Sequence, residues 1–325
     1  MLMFKILEIV INNILLIIGL LLTVMLYILW ERKCIGGMQN RFGPNRVGPY
    51  GMLQPIADSL KLLFKSMIIP KKANQLLFIL SPIITVVAAF ASWAVIPFGK
   101  NLLLTDLNIG MLYLLAMQSI GVVGIIMAGW SSNSKYALLG ALRFVAQIIS
   151  YSIPISLVIV GVLIRAKSMN LSLIVNAQQG GIINWFCWPL FPLLLIYWIS
   201  IMAETNRLPF DVAESESELV AGFHVEYSGM SFALFFLAEY CNMILTSMLT
   251  VIMFFGGWLS PFNTQFLWIP HVFWLIIKTF IFMTLFIWLR GTLPRYRFDQ
   301  IINLSWKCLC PVGLSWVIVQ AIWIN

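Results

Sequence analysis

The chain has 325 residues, of which 61% are hydrophobic and only 10% are charged, and its formal net charge is +8. Soluble domains usually carry about 25% charged residues, so this composition excludes a water-soluble globular protein. The basic residues form no separate hydrophilic domain. Membrane lipids are therefore expected partners, and nucleic acid is not.

Eight apolar segments are long enough to cross a bilayer as helices, which takes about 20 residues each. No small-residue cleavage site follows the first segment, so we expect it to be retained rather than removed as a signal peptide. Pro154, Pro189 and Pro192 fall within spans and should kink or interrupt them. The predicted fold is all-α, a single polytopic membrane domain over residues 1–325. The predicted spans are 6–30, 76–97, 109–130, 137–164, 185–203, 230–257, 268–289 and 303–324.

The loops differ strongly in charge. Fifteen of the 20 lysines and arginines lie in or beside the loops that follow spans 1, 3, 5 and 7. The positive-inside rule then places these four loops in the cytosol or the mitochondrial matrix, and both termini in the periplasm or the intermembrane space. The predicted inner loops are 31–75, 131–136, 204–229 and 290–302.

The first inner loop, 31–75, is the longest and most basic. Its glycines and prolines predict tight turns, and its arginines can bind carboxylates or carbonyls. An amphipathic helix is predicted at about 52–67, with Leu53 and Leu60 on its apolar face and Asp58 on its polar face. Such a helix suits the membrane surface or the lid of a cavity there. A surface anchor with no further role is the alternative.

The third inner loop is unusually acidic, since residues 204–239 contain seven of the 12 acidic residues. In a helical arrangement Asp211, Glu214 and Glu218 would share one face. Glu216 would point elsewhere. Carboxylates crowded against a membrane do not all ionise easily, so some should hold protons more tightly than in water. This pattern favours a proton path, with a solvated acidic loop as the alternative.

Two charged residues lie deeper within the spans. Glu239 and Lys278 are predicted about 13 Å and 18 Å from the inner side, counting 1.5 Å per residue. A charge near the bilayer centre costs at least about 2.5–3.5 kcal/mol, so such residues are usually paired or functional. We expect both to belong to one buried polar chain, with a structural ion pair as the alternative.

Metal and cofactor sites are not expected in this chain. None of the five cysteines forms a pair with the spacing of a zinc or iron–sulfur site. The two histidines, His224 and His271, fall on opposite sides of the predicted membrane. No glycine-rich phosphate motif follows a strand. The chain alone should therefore hold no metal, flavin, haem, iron–sulfur cluster or nucleotide, and no catalytic residue.

Several loop motifs resemble one family. Glu31-Arg32-Lys33 opens the first of them, and the similarity extends over nearly the whole chain. The motifs lie at residues 31–33, 39–49, 53–58, 129–143, 203–211, 214–227 and 294–300. They are similar to chain 1 of the proton-pumping NADH:quinone oxidoreductase, respiratory complex I.

This resemblance implies a core membrane subunit that forms the ubiquinone chamber and an acidic path coupling quinone reduction to proton translocation. Ubiquinone is the implied substrate, and the flavin and iron–sulfur clusters are implied to lie in partner subunits. The implied partners are quinone-module subunits of the peripheral arm, together with small and antiporter-like membrane subunits.

The resemblance also implies roles for individual residues. Arg32, Arg41 and the loop around Phe223 are implied to line or shape the quinone chamber. The implied proton path is Glu31, Asp58, Glu204, Arg207, Asp211, Glu214, Glu216, Glu218, Glu226, Glu239, Lys278, Arg290 and Arg295.

The chain departs from the family pattern at two positions, where serine replaces the usual glutamate. Ser66 follows Lys65 at the end of the amphipathic helix, and Ser152 follows Tyr151 in span 4. The second change removes an intramembrane carboxylate from the implied path, so a neighbour compensates or the route differs. These departures favour the mitochondrial inner membrane over a bacterial plasma membrane.

Two other functions fit parts of the pattern. Buried Glu and Lys residues also suit a stand-alone ion-coupled secondary transporter, which would purify as a small homo-oligomer. The equivalent subunit of a membrane-bound hydrogenase is the second alternative. The run at 204–227 resembles the quinone-reducing family more closely than that subunit.

Overall fold

The structure, a computed structural model, describes residues 2–100, 102–211, 222–261 and 270–324. Its regular structure in these ranges is almost entirely helical. The α-helices are α1 Leu2–Met38, α2 Gln54–Phe64, α3 Gln75–Ser92, α4 Gly110–Ser131, α5 Lys135–Ala166, α6 Leu171–Asn176, α7 Phe191–Glu204, α8 Met230–Phe254, α9 His271–Thr292, α10 Phe298–Leu304 and α11 Cys310–Ile324.

The membrane-spanning pattern agrees with the predicted all-α fold. In the described residues, seven helical segments are long and apolar enough to cross a membrane, the last formed by α10, a π-helical stretch and α11. The fifth predicted span, 185–203, is also present, but its helix begins only at Phe191 and has 14 residues. Pro192 lies in its first turn, where a missing N–H costs no helical hydrogen bond. The fifth span is therefore shorter than predicted.

Pro154 leaves α5 continuous instead of breaking it. Because proline has no N–H, the carbonyl of Ser150 one turn earlier loses its helical partner. The Ser305 hydroxyl of the last span donates to this carbonyl at 2.5 Å. Close by, the Tyr151 hydroxyl donates to the carbonyl of Ile301 at 2.9 Å. Side chains thus supply hydrogen bonds between α5 and the last span, at the proline and beside the π-helical stretch.

The four predicted inner loops meet on one side of the bundle. The Asn133 side chain donates to the carbonyl of Lys72, which joins the first and second loops. Arg295 pairs with Asp211 at 2.9 Å, which joins the third and fourth. A further hydrogen bond joins the first and third. We call this side the basic face and the other side the opposite face.

The amphipathic helix predicted at 52–67 is α2. Its polar residue Asp58 pairs with Arg32 of α1, so the polar side of α2 faces the bundle. The apolar side, which includes Leu60 and Phe64, is exposed in the isolated chain. A helix at the membrane surface is expected to present such a side to lipid.

α8 is the most enclosed of the membrane-spanning helices. In its most apolar stretch 61% of the residues are buried, against 22% for α1 and α4. It packs against α1, α3, α7 and α9. Polar side chains on α8 therefore face other helices or internal cavities rather than lipid.

Candidate functional site

An open cleft of about 580 Å³ lies on the basic face, between α1, the loop after it, α8 and α9. Small-ligand pockets usually measure about 300–1,000 Å³, so the cleft has room for a small organic molecule. Apolar and charged side chains line it together, which suits a ligand with an apolar body and a polar head. We call it the basic cleft. Its lining includes Glu31, Arg32, Arg41, Phe236, Tyr240 and Arg290.

Glu31 is the buried carboxylate of this cleft, with 4% of its surface exposed. Arg290 forms an ion pair with one of its oxygens. The Tyr240 hydroxyl donates to the other at 2.6 Å. The Arg207 guanidinium lies over the Tyr240 ring, 4.5 Å from its centre, as a cation–π contact. Burial of a carboxylate is costly without such partners, and α8, α9 and the turn after α7 supply them here.

Arg32 and Arg41, predicted to line the chamber, both line the basic cleft. Arg32 pairs with Asp58 at 2.5 Å, and the side chains remain 48% and 35% exposed. The Nε of Arg41 donates to the Gln39 side chain at 2.7 Å. A guanidinium has five N–H donors, so each arginine can bind a further acceptor in the cleft.

A second, smaller pocket of about 70 Å³ lies among α3, α4, α5, α7 and α8. Glu204 and Glu239 line it, together with the amide side chains of Gln118 and Asn242 and the hydroxyl of Thr246. The space fits a few water molecules, each of which needs polar partners of this kind. We call it the acidic pocket. Carboxylates inside a membrane protein usually mark an ion or proton route.

The wall between the two cavities consists of one helix and one turn. On α8, Tyr240 lines the basic cleft and the preceding residue, Glu239, lines the acidic pocket. The last residue of α7, Glu204, lines the pocket, and in the turn that follows Arg207 lies on Tyr240. Successive helical residues point about 100° apart, so α8 presents one polar side chain to each cavity. The wall is thus polar and one helix thick.

The end of α7 and the turn that carries Arg207 are held by Gln147 of α5, a residue that no sequence motif marks. Gln147 is buried, and its amide donates to the carbonyls of Ala203 and Phe210 at 2.8 Å and 2.9 Å. Buried carbonyls need donors, so one side chain holds both ends of the turn. The only sequence signal is a lone amide in an apolar helix.

The third inner loop is described in part, because Glu214, Glu216 and Glu218 lie outside the described residues. Phe223 lines the acidic pocket and not the basic cleft, since its ring packs among aromatic rings of α5 and α8. That the loop around Phe223 lines or shapes the quinone chamber stays a prediction. Glu226 is half-buried near the end of the loop.

Tyr227 anchors the end of this loop. Its hydroxyl forms hydrogen bonds with Ser81 at 2.8 Å and Ser131 at 3.3 Å, and its ring stacks on Phe78. Burial raises the pKa of Tyr227, so the hydroxyl remains protonated and keeps these hydrogen bonds. The loop is thereby held to the ends of α3 and α4 at the basic face.

Lys278 lies apart from Glu239. Its ammonium donates to the carbonyls of Phe255, Gly257 and Leu259, which follow the end of α8. Counted along the helix, Glu239 is roughly 22 Å from that end. Lys278 and Glu239 therefore form no direct ion pair, because the lysine side chain reaches toward the opposite face. That one polar chain includes both residues stays a prediction.

The two serines that replace family glutamates are both exposed. Ser152 lies on α5, one turn beyond Ile148, which lines the acidic pocket. Its hydroxyl donates to the carbonyl of Ile149 in its own helix. The departure at Ser152 therefore affects the surface beyond the pocket, and the two carboxylates within the pocket remain.

Comparisons with known proteins agree on one family. Residues 11–321 match the NADH dehydrogenase family. The H subunit of the NADH-quinone oxidoreductase of Vesicomyosocius okutanii subsp. Calyptogena okutanii (strain HA) is 56% identical over 323 residues, which are 98% of this chain and 90% of that protein. The corresponding protein of Ruthia magnifica subsp. Calyptogena magnifica is 55% identical over 324 residues, covering 98% and 91%.

Proposed function

Since the chain belongs to the NADH dehydrogenase family, we propose that it forms the ubiquinone chamber of a proton-pumping NADH:quinone oxidoreductase and the path coupling quinone reduction to proton translocation. It is a multi-pass membrane subunit of that enzyme. The names of its relatives favour this function over a stand-alone transporter or a hydrogenase subunit. We place its basic face toward the mitochondrial matrix, or the cytosol of a bacterium, where the electron-carrying partner subunits dock.

The polar wall between the two cavities is the observation that carries this proposal. Tyr240 and Arg207 touch at the basic cleft, while their neighbours Glu239 and Glu204 line the acidic pocket. A change of charge in the cleft therefore occurs close to the carboxylates of the acidic pocket, which has room for water. Polar groups so placed can pass a proton or an electrostatic change through the wall.

Quinone reduction supplies the change of charge. Conversion of a quinone to a quinol takes up two electrons, from partner subunits, and two protons. Arg32 and Arg41 would stabilise the negative charge that develops on the quinone oxygens. Negative charge beside Glu31 favours proton uptake by nearby groups. Through Tyr240 and Arg207, this change favours proton binding or release in the acidic pocket.

The remaining described residues of the predicted path lie nearer the basic face. Asp211 and Arg295 pair where the third and fourth inner loops meet, and Glu226 lies near the end of the third loop. We place these residues at the entrance of the path. We leave Lys278 out of the path, because its ammonium binds carbonyls beyond the far end of α8.

Replacing Glu239 with glutamine tests the coupling. Glutamine keeps the shape of the side chain but does not exchange protons, so we expect proton translocation to fall about tenfold or more. The measurement is NADH-driven acidification of vesicles that contain the reconstituted enzyme. Asp106→Asn is the matched control, because Asp106 bonds Asn170 and Ser172 on the opposite face. Undiminished pumping by Glu239→Gln would contradict the proposed path.

Photo-labelling tests the chamber. An azido-quinone inhibitor should label peptides that line the basic cleft, within 28–44 or 236–240, and an excess of ubiquinone should protect them. Mapping of the labelled peptides by mass spectrometry gives the result. Labels confined to other parts of the chain would contradict a chamber at this cleft.

A further inference from the structure

The opposite end of α8 is closed by a buried lysine. The Lys278 ammonium donates to the carbonyls of Phe255, Gly257 and Leu259 at 2.7, 3.1 and 2.7 Å. The ring of Trp185 covers the same ammonium, with its centre 4.2 Å from Nζ. All three N–H groups of the lysine are thus in use. Within the described part of the chain, its ammonium pairs with no carboxylate.

The carbonyls around Lys278 resemble a cation site. α8 ends at Phe254, and Gly256 and Gly257 then take positive φ values that turn the chain out of the helix. Carbonyls at a helix C-terminus have no helical partner and carry partial negative charge. Several carbonyls directed at one point can replace the water shell of a cation, as in channel filters. Here the ammonium of the protein itself occupies that point.

Gln178 completes the closure. It is fully buried, and its amide donates to the carbonyls of Ile252 and Met253. Its oxygen accepts from the backbone N–H groups of Phe186 and Gly256. Side chains thus satisfy the backbone groups that the end of α8 leaves unpaired, and no water is needed there.

Between the acidic pocket and this closure α8 is mainly apolar, and its two hydroxyl residues, Ser247 and Thr250, donate to carbonyls of the helix itself. The pocket extends along α8 to Thr246. Beyond it, Met248, Leu249, Val251 and the residues up to Phe254 are buried. If the carbonyls beyond Phe254 lost their ammonium, they would be buried without donors and would attract water or a cation. With water at that point, only a short apolar stretch of α8 would still block the passage of protons.

We propose that Lys278 is a fixed cationic plug that keeps the opposite face closed to protons and hydrated cations. It fills the carbonyl site and repels further positive charge, and it does not carry protons itself. This role goes beyond the proposed function, because it concerns passive permeability and needs neither NADH nor quinone.

Passive proton entry into vesicles containing the whole enzyme tests this plug. Without NADH, a potassium diffusion potential set by valinomycin drives protons inward, and an enclosed pH-sensitive dye reports them. We expect Lys278→Met to raise this flux at least fivefold. Lys100→Met is the matched control, since it removes an exposed lysine near the same face and should leave the flux unchanged. A wild-type flux in assembled Lys278→Met enzyme would overturn the proposal.

Two further variants keep the test decisive if Lys278→Met does not assemble. Lys278→Arg retains the charge and the donors and should leak less than Lys278→Gln, which has two donors and no charge. Equal, wild-type fluxes in both would overturn the plug. The proposed function fails in a different way, because Glu239→Gln would then pump normally in vesicles that remain tight.

Discussion

Polar side chains lie at both ends of α8, but their surroundings differ. Near the basic face, Glu239 and Tyr240 border cavities with room for water or a ligand, so their partners can change. At the opposite face, Lys278 and Gln178 are saturated by backbone groups that cannot move away. The partners of a buried charge, and not its depth, therefore indicate whether it can react or only stabilises the fold.

The largest effect at the basic face is expected for Glu31→Gln. The change leaves Arg290 without its negative partner while it keeps the shape of the side chain. Loss of one partner of a buried ion pair costs about 3–5 kcal/mol. Because the Arg290 side chain is 35% exposed, we expect a smaller loss, roughly 30-fold in kcat/KM for ubiquinone.

NADH oxidation at varied ubiquinone concentration measures this effect, with an artificial acceptor upstream of the quinone as the check on assembly. The passive proton flux should stay at its wild-type value, because the plug at the other end of the bundle is intact. A normal kcat/KM for Glu31→Gln would show that the basic cleft takes no part in quinone reduction.

Tyr240→Phe should have an intermediate effect. It removes only the hydroxyl that donates to Glu31 at 2.6 Å, and a hydrogen bond to a charged group contributes about 1.5–3 kcal/mol. We expect kcat/KM for ubiquinone to fall about tenfold. Tyr27→Phe is the matched control: its hydroxyl donates to a backbone carbonyl of α9, and it does not line the cleft. Equal losses in both variants would contradict a specific role for Tyr240.

Asp58→Asn should have the smallest effect. Its pair with Arg32 is substantially exposed, and such pairs contribute about 0.2–1 kcal/mol. We expect the KM for ubiquinone to change less than about threefold, and the difference to shrink at high ionic strength because salt screens exposed charges. Steady-state kinetics at low and high salt measure this. A large, salt-independent change would show that Asp58 is far more important than its exposure indicates.

Several features were predicted correctly because they depend on local composition. The long apolar runs predicted the spans, and the pattern around Asp58 predicted α2. The uneven distribution of lysines and arginines predicted which compartment these loops face, and that sidedness stays a prediction. The prediction of the fifth span was less accurate. Its prolines determine where the helix begins, and an apolar run does not reveal this.

The partners within the site were not predictable in the same way. Tyr240 and Arg290 are 209 and 259 residues from Glu31 in the chain. Gln147 and Lys278 bind backbone carbonyls, which every residue has and which no sequence pattern distinguishes. Similar depths suggested a link between Lys278 and Glu239, but depth does not give the direction of a side chain, and the Lys278 ammonium binds carbonyls beyond the end of α8.

A helical membrane protein, the positions of its spans and its family motifs all follow from the order of amino acids alone. Hydrophobic length and loop charge act locally, so they can be read along the chain. The place of Glu31 between Arg290 and Tyr240, and of Lys278 at the end of α8, follows from the three-dimensional packing. Those pairings depend on how distant helices pack and turn, because a side chain binds whatever the fold brings within about 3 Å of it.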